Sequence, residues 1–174
     1  MIKRIARKEV YDGKIIKVFV DDILDERLRP TVRELVVHVG GVCVLACVDD
    51  EIYFVKQHRY PFDDYLLELP AGKKEVGEEP LVTAIRELEE EIGYHPHKME
   101  FYGEFIPTCA YDSEVIHLYV ASDLEFVGQN LDEGEYIEVI KIHKDKVKAM
   151  LKNNEFTDGK TAYLLTAYFW RNNE

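Results

Sequence analysis

The chain of 174 residues reads as an α/β protein, a mixed β-sheet layered with helices and preceded by an antiparallel strand pair. Three observations predict this. Short runs rich in β-branched and aromatic residues recur along the chain, and helical periodicity is confined to three segments. The continuous apolar run GVCVLACV (41–48) marks a strand buried on both faces.

Taken in order, residues 2–12 and 14–23 form two strands around Asp12-Gly13, a tight-hairpin signal. A turn near Arg29-Pro30 leads to TVRELVVHV (31–39), and Gly40-Gly41 breaks the chain before the apolar strand. Asp49-Asp50 turns into EIYFVKQHRY (51–60), and PFDDYLLELPAG (61–72) approaches an acidic stretch. Residues 80–92 read as a helix: Pro80 suits the first turn, and Leu81, Ala84, Ile85, Leu88 and Ile92 make an apolar stripe. Gly93 is placed to end it. His95-Pro96 starts a loop, KMEFYGEFI (98–106) is a strand, 107–114 a loop and VIHLYVAS (115–122) a strand. The acidic segment 123–135, with Gly128 and Gly134, reads as a mobile loop. A strand at 135–143 and two amphipathic helices at 144–154 and 158–170 follow, the last stacking Tyr163, Tyr168, Phe169 and Trp170. No internal repeat is present.

Composition narrows the function classes. A net charge of −12 with 47% hydrophobic and 32% charged residues is globular, and it argues against a nucleic-acid or anionic-membrane surface. Cys43, Cys47 and Cys109 form no CxxC pair and read as small core residues in a reducing compartment. MIKRIARKEV lacks a signal-peptide apolar region, and Val42–Val48 is too short to span a bilayer, so the expected location is cytoplasmic. The expected organisation is one domain over 1–174, with N-terminal strands in 1–39 and a core in 40–174.

The rest of the chain is organised around GKKEVGEEPLVTAIRELEEEIGY (72–94), which holds Glu75, Glu78, Glu79, Glu87, Glu89, Glu90 and Glu91. On a helix Glu87 and Glu91 lie one turn apart on one side, with Glu90 beside Glu87. Like charges so spaced destabilise a helix by a few tenths of a kcal/mol per pair, and Arg86 relieves only part of that. A hard divalent cation reverses the argument, because Mg²⁺ or Mn²⁺ prefers carboxylate and carbonyl oxygens. The alternative is a solvated acidic face.

The spacing decides between them. Gly72, Glu78, Arg86-Glu87, Leu88, Glu90-Glu91, Gly93 and a hydrophobic Tyr94 stand at the intervals of the Nudix box, so the chain resembles the Nudix hydrolases. The runs VKQHRYP (55–61), LLELPAGKKEVGEEP (66–80), DSEVIHLYVA (112–121) and DGKTAYLL (158–165) extend the likeness to bacterial ADP-ribose pyrophosphatases. The resemblance implies a Nudix fold, a mixed sheet sandwiched by helices (α/β/α), with an additional N-terminal antiparallel sheet shared in a homodimer. It implies Mg-dependent hydrolysis of a nucleotide-sugar, ADP-ribose giving AMP and ribose 5-phosphate. ADP-glucose, GDP-mannose and a non-catalytic nucleotide-binding module are the alternatives.

Carried over by position, the resemblance assigns Glu87, Glu90, Glu91, Glu135 and the Ala71 carbonyl to metal. Glu133 is the general base, and Arg33, Arg59 and Glu114 face the substrate. A solvated loop is the alternative for Glu133 and Glu135, and a surface salt bridge for the arginines. Glu78 and Arg86 are expected to brace the loop and helix as an ion pair. His95, His97 and His117 are assigned no catalytic role. Thr108-Cys109-Ala110 stands where many ADP-ribose enzymes carry Ser-Pro-Gly, which leaves the sugar open.

Overall fold

The computed structural model describes residues 1–131 and 134–172, and the chain forms two compact units. The first unit holds residues 1–40 and 106–115. Its strands β1 (Lys3–Asp12), β2 (Ile16–Leu24) and β3 (Pro30–His38) form an antiparallel sheet in that order. Arg7 grips the buried Asp21 through two hydrogen bonds of 2.7 Å and lies 4.7 Å over the Phe19 ring, locking β1 to β2. The 106–115 segment joins through Val36, whose N–H donates to Tyr111 O at 2.7 Å and whose carbonyl accepts from Ser113 at 3.0 Å. Every residue of β1 is exposed, Ile5 and Tyr11 included.

The second unit holds residues 41–105 and 116–174. Its strands are β4 (Gly41–Val48), β5 (Glu51–Arg59), β6 (Asp64–Glu68), β7 (Ala71–Lys73), β8 (Tyr94–Phe105), β9 (Ile116–Phe126) and β10 (Ile137–His143). The order is β10-β5-β4-β9-β8, with β6 on β5 and β7 on β4. Only β4 and β9 run parallel, so the sheet is mixed. Alternation along β4 sends Val42, Val44 and Ala46 to one face, where Ala84, Leu88 and Ile92 of helix α1 (Pro80–Ile92) cover them. Cys43 and Leu45 point to the other face, against Val147 of α2 (Lys144–Lys152) and Leu164, Leu165 and Phe169 of α3 (Gly159–Arg171). This is the α/β/α layering expected.

One irregularity positions the site. β4 and β5 pair only at Cys47↔Ile52 and Val48↔Glu51, across the Asp49-Asp50 turn whose residues both have positive φ. Beyond that the strands part, β6 continuing on β5 and β7 on β4, so Leu69 and Pro70 cross the split. Val44 N–H anchors the crossing to Pro70 O at 2.8 Å. The chain is thereby brought under α1 at Ala71 and Gly72.

Several expectations are corrected. His95-Pro96 is not a loop: β8 begins at Tyr94 and runs on the sheet edge, where a strand tolerates proline. Residues 123–126 extend β9, pairing Leu124 with Pro96 and Phe126 with Tyr94. Residues 64–68 and 71–73 are strands where only an approach segment was expected. The first hairpin is wider than Asp12-Gly13 implies, since Asp12 pairs with Lys17 and Gly13 N–H reaches Ile16 O at 3.0 Å. Leu81 is exposed and Thr83 is buried in its place, because the Thr83 hydroxyl bonds Glu78. Of the cysteines only Cys43 is buried; Cys109 is exposed. Trp170 projects into solvent and leaves the α3 packing to Phe169 and its neighbours.

Candidate active site

Helix α1 presents the acidic cluster, and its ends are secured locally. Pro80 stands in the first turn, and Gly93 closes the last with φ 76°, donating to Glu89 O at 3.1 Å. Residues 127–131 then cap the exposed carbonyls: Asn130 N–H reaches Glu90 O at 3.1 Å and Gln129 Nε2 reaches Glu91 O at 2.6 Å. A Cβ on Gly93 would meet Gln129 N at 2.7 Å, so the cap requires glycine on two counts.

Glu91 is 3% exposed, and its Oε2 accepts the Ala71 N–H at 2.9 Å. Burial raises its pKa well above the usual range, and the Glu87 and Glu135 carboxylates add repulsion. Glu87 lies against Gly72, where a Cβ would come 1.9 Å from Glu87 Cδ. Burial pushes the Glu87 carboxyl up to about 7, against the pull of the Arg86 guanidinium at 2.9 Å, and Glu90 and Glu135 push it further. Glu135 sits just before β10 and accepts from Gln57 Nε2 at 3.4 Å. A cavity of about 460 Å³ opens beside Glu135, walled by Lys56, Tyr65, Tyr136 and Ile137.

Arg86 braces the segment before the helix, as expected of the Glu78–Arg86 pair. Its Nε and Nη2 meet the two Glu78 oxygens at 3.1 and 3.2 Å, Nη2 also donates to Lys73 O, and Nη1 reaches Glu90 at 2.7 Å. With Thr83 Oγ1 and Glu75 N–H as further donors, Glu78 is held down to about 2, the Arg86 hydrogen bonds being the largest cause.

The structure therefore brings Glu87, Glu90, Glu91, Glu135, Ala71 and Arg59 together in one unit. Arg59 makes a bidentate pair with Glu68, at 2.6 and 2.7 Å. Arg33 and Glu114 belong to the other unit. Arg33 is exposed and donates to Val32 O at 2.9 Å, and Glu114 lies 3.2 Å from His38 Nδ1. Glu133 lies outside the described residues. Sequence reasoning missed Glu68, which pairs with Arg59, and Asp158, Lys160 and Thr161, which hold Glu68 and Leu69 from the start of α3; the signal was a charged residue inside the apolar run LLELP. It also missed Gln57 and Gln129, which carried none.

The donor set suits a hard divalent cation. Glu91 is buried and Glu87, one turn away on the same helix, is half-buried, and both hold their protons more tightly than a free glutamate. Among the described residues no three groups stand preassembled as a ligand cluster, since Glu87 turns to Arg86 and Glu91 to the Ala71 amide.

Comparison with known proteins agrees with this geometry. The NUDIX domain model matches residues 37–161, and the chain belongs to the Nudix hydrolases. It is 37% identical to the ADP-ribose pyrophosphatase of Bacillus subtilis, over 94% of this chain and 90% of that one. It is 38% identical to the methanol dehydrogenase activator of Bacillus methanolicus, over 91% and 88%. The crystal structure of an ADP compounds hydrolase superposes with a TM-score of 0.87 over 99% of this chain and 95% of that one, at 20% identity, a likeness of fold. The chain is thus a Nudix enzyme with the fold of the class. Among the described residues, no helix is long and apolar enough to cross a membrane.

Proposed function

We propose that this enzyme hydrolyses the diphosphate bond of an ADP-sugar, ADP-ribose first among them, to AMP and ribose 5-phosphate. The observation that carries the reading is the carboxylate pair of α1, Glu91 buried against the Ala71 amide and Glu87 half-buried against Gly72, in a chain 37% identical to an ADP-ribose pyrophosphatase. Mg²⁺, or Mn²⁺ in its place, would be held by Glu87, Glu90, Glu91, Glu135 and the Ala71 carbonyl. When bound it neutralises the diphosphate and lowers the pKa of water. The chain supplies the rest. Glu133 takes the proton of the attacking water, the water oxygen bonds to phosphorus, and the bridging P–O bond breaks. The resemblance assigns Arg33, Arg59 and Glu114 to the substrate; a guanidinium pairs with phosphate oxygens through two parallel N–H groups.

The fully exposed β1, with Ile5 and Tyr11 on its surface, supports a homodimer, because an unpaired strand edge is a template for association. The cytoplasm, where nucleotide-sugars are plentiful, is the compartment this chemistry suits.

The test is a product assay with Mg²⁺, offering ADP-ribose, ADP-glucose, GDP-mannose, diadenosine polyphosphates and dGTP in parallel. AMP and ribose 5-phosphate from ADP-ribose at the highest kcat/KM is the expected result. A preference for another sugar nucleotide would keep the chemistry and point to Thr108-Cys109-Ala110. Binding without turnover would leave a nucleotide-sensing module. The equal similarity to a relative named for activating methanol dehydrogenase supports a second reading, in which a dehydrogenase responds to this chain. Adding the chain to a methanol dehydrogenase separates the two.

A further inference from the structure

Glu68 is 1% exposed, the most deeply buried carboxylate among the described residues, and the chemistry above leaves it without a task. Its two oxygens accept the Nε and Nη2 hydrogens of Arg59 at 2.6 and 2.7 Å. One of the same oxygens also accepts from Lys160 Nζ, whose ammonium is held at 2.9 Å by Asp158. Asp158 in turn caps α3, accepting the Thr161 N–H at 3.1 Å, and Thr161 Oγ1 accepts the Leu69 N–H at 2.9 Å. The first turn of α3 therefore clasps Glu68 and Leu69, the two residues that lead to Ala71. Two cations balance two anions. Burial pushes the Glu68 carboxyl up, but Arg59 and Lys160 outweigh it and keep it ionised below its ordinary range.

The orientation of Arg59 is the consequence. The pairing uses one edge of the guanidinium and leaves the N–H groups of the Nη1 end free of Glu68. Its charge acts on Glu91, which places the guanidinium within electrostatic reach of that buried carboxylate. An unpaired arginine side chain samples many rotamers, and fixing it on binding costs entropy. A buried carboxylate gripping one edge removes that freedom before the substrate arrives.

We propose that Glu68, supported by Lys160 and Asp158, is a positioning residue that aims the free end of Arg59 at the substrate diphosphate. This rests on the ADP-sugar reading above. The competing view is that Glu68 serves the fold alone, as buried ion pairs often do.

A double-mutant cycle separates them. Kinetics on the best substrate of the panel are measured for the wild type, Glu68→Gln, Arg59→Met and the pair, with thermal melts alongside. Glu68→Gln is expected to raise KM about tenfold or more while kcat changes less. In the Arg59→Met background it should change kcat/KM by less than about twofold, although the melting temperature still falls. Equal losses of kcat/KM in both backgrounds, or a drop in melting temperature with unchanged kinetics in the wild-type background, would overturn the proposal. If Glu68→Gln does not fold by circular dichroism, Glu68→Asp takes its place in the cycle, keeping the charge and shortening the reach. Absence of turnover by the wild type on every substrate defeats the ADP-sugar reading itself. Turnover with multiplicative losses defeats only the role given to Glu68.

Discussion

In the cation-free protein, stability should fall as pH rises from about 5 to 7.5, and part of that fall should belong to Glu87. The unfolded Glu87 carboxyl titrates near 4.5, whereas burial lifts it to about 7 in the folded chain. Between those values the folded state holds a proton that the unfolded state has released, so each step upward in pH favours unfolding. The full interval corresponds to about 3 kcal/mol, reduced toward about 2 by the solvent that reaches the side chain. Glu91 is raised for the same cause and acts in the same direction. His117 opposes them, because burial lowers its pKa and the unfolded state binds its proton more readily below 6.5. Glu87→Gln isolates the contribution: it should flatten the decline and leave the cation-free protein more stable than wild type at pH 7.5. Excess Mg²⁺ should flatten the wild-type decline as well, since it binds only the ionised carboxylates. Urea melts at pH 5 and 7.5, with chelator and with Mg²⁺, read the difference directly. Equal pH dependence in wild type and Glu87→Gln would refute the assignment of a retained proton to Glu87.

The remaining expectations concern single side chains. Glu91→Gln should fold normally and lower kcat with Mg²⁺ by a factor on the order of 100 or more, as expected when a charge is removed from a cation site; near-full activity would exclude it as a ligand. Gly72→Ala should also abolish turnover, because the new methyl would occupy the space of the Glu87 carboxylate, and isothermal titration with Mn²⁺ should show the site lost. Arg86→Ala strands the Glu78, Glu87 and Glu90 carboxylates and should lower the unfolding free energy by about 3 kcal/mol in urea. Trp170→Ser, at an exposed ring, should alter both stability and kcat/KM negligibly, within about 0.5 kcal/mol by the same melts.

What the sequence disclosed and what it withheld follow from the range of the interactions. The α1 helix, its Pro80 start and its Gly93 stop were legible because caps and periodicity act within a few residues. The Glu78–Arg86 brace was legible because eight residues of loop and helix close it locally. His95-Pro96 misled because proline is a breaker in most contexts, and only the sheet order reveals that β8 is an edge strand. Leu81 misled because helical spacing says where a side chain points, but here a buried hydroxyl with a carboxylate partner took the inner position.

The largest omission was Glu68 with Lys160, which lie 92 residues apart. Each looks ordinary in its own segment, a glutamate between leucines and a lysine after Asp158-Gly159. Nothing in local patterning predicts that the two charges neutralise each other inside the protein. Yet the apolar neighbours Leu66, Leu67 and Leu69 force the segment inward, and a carboxylate carried inward must find cations or give up its charge. A charged residue inside an apolar run is therefore a sequence signal of a distant partner, even when the partner cannot be named. Here the partners are Lys160 and Arg59, and they tie the segment that leads to Ala71 to the helix that closes the opposite face of the sheet.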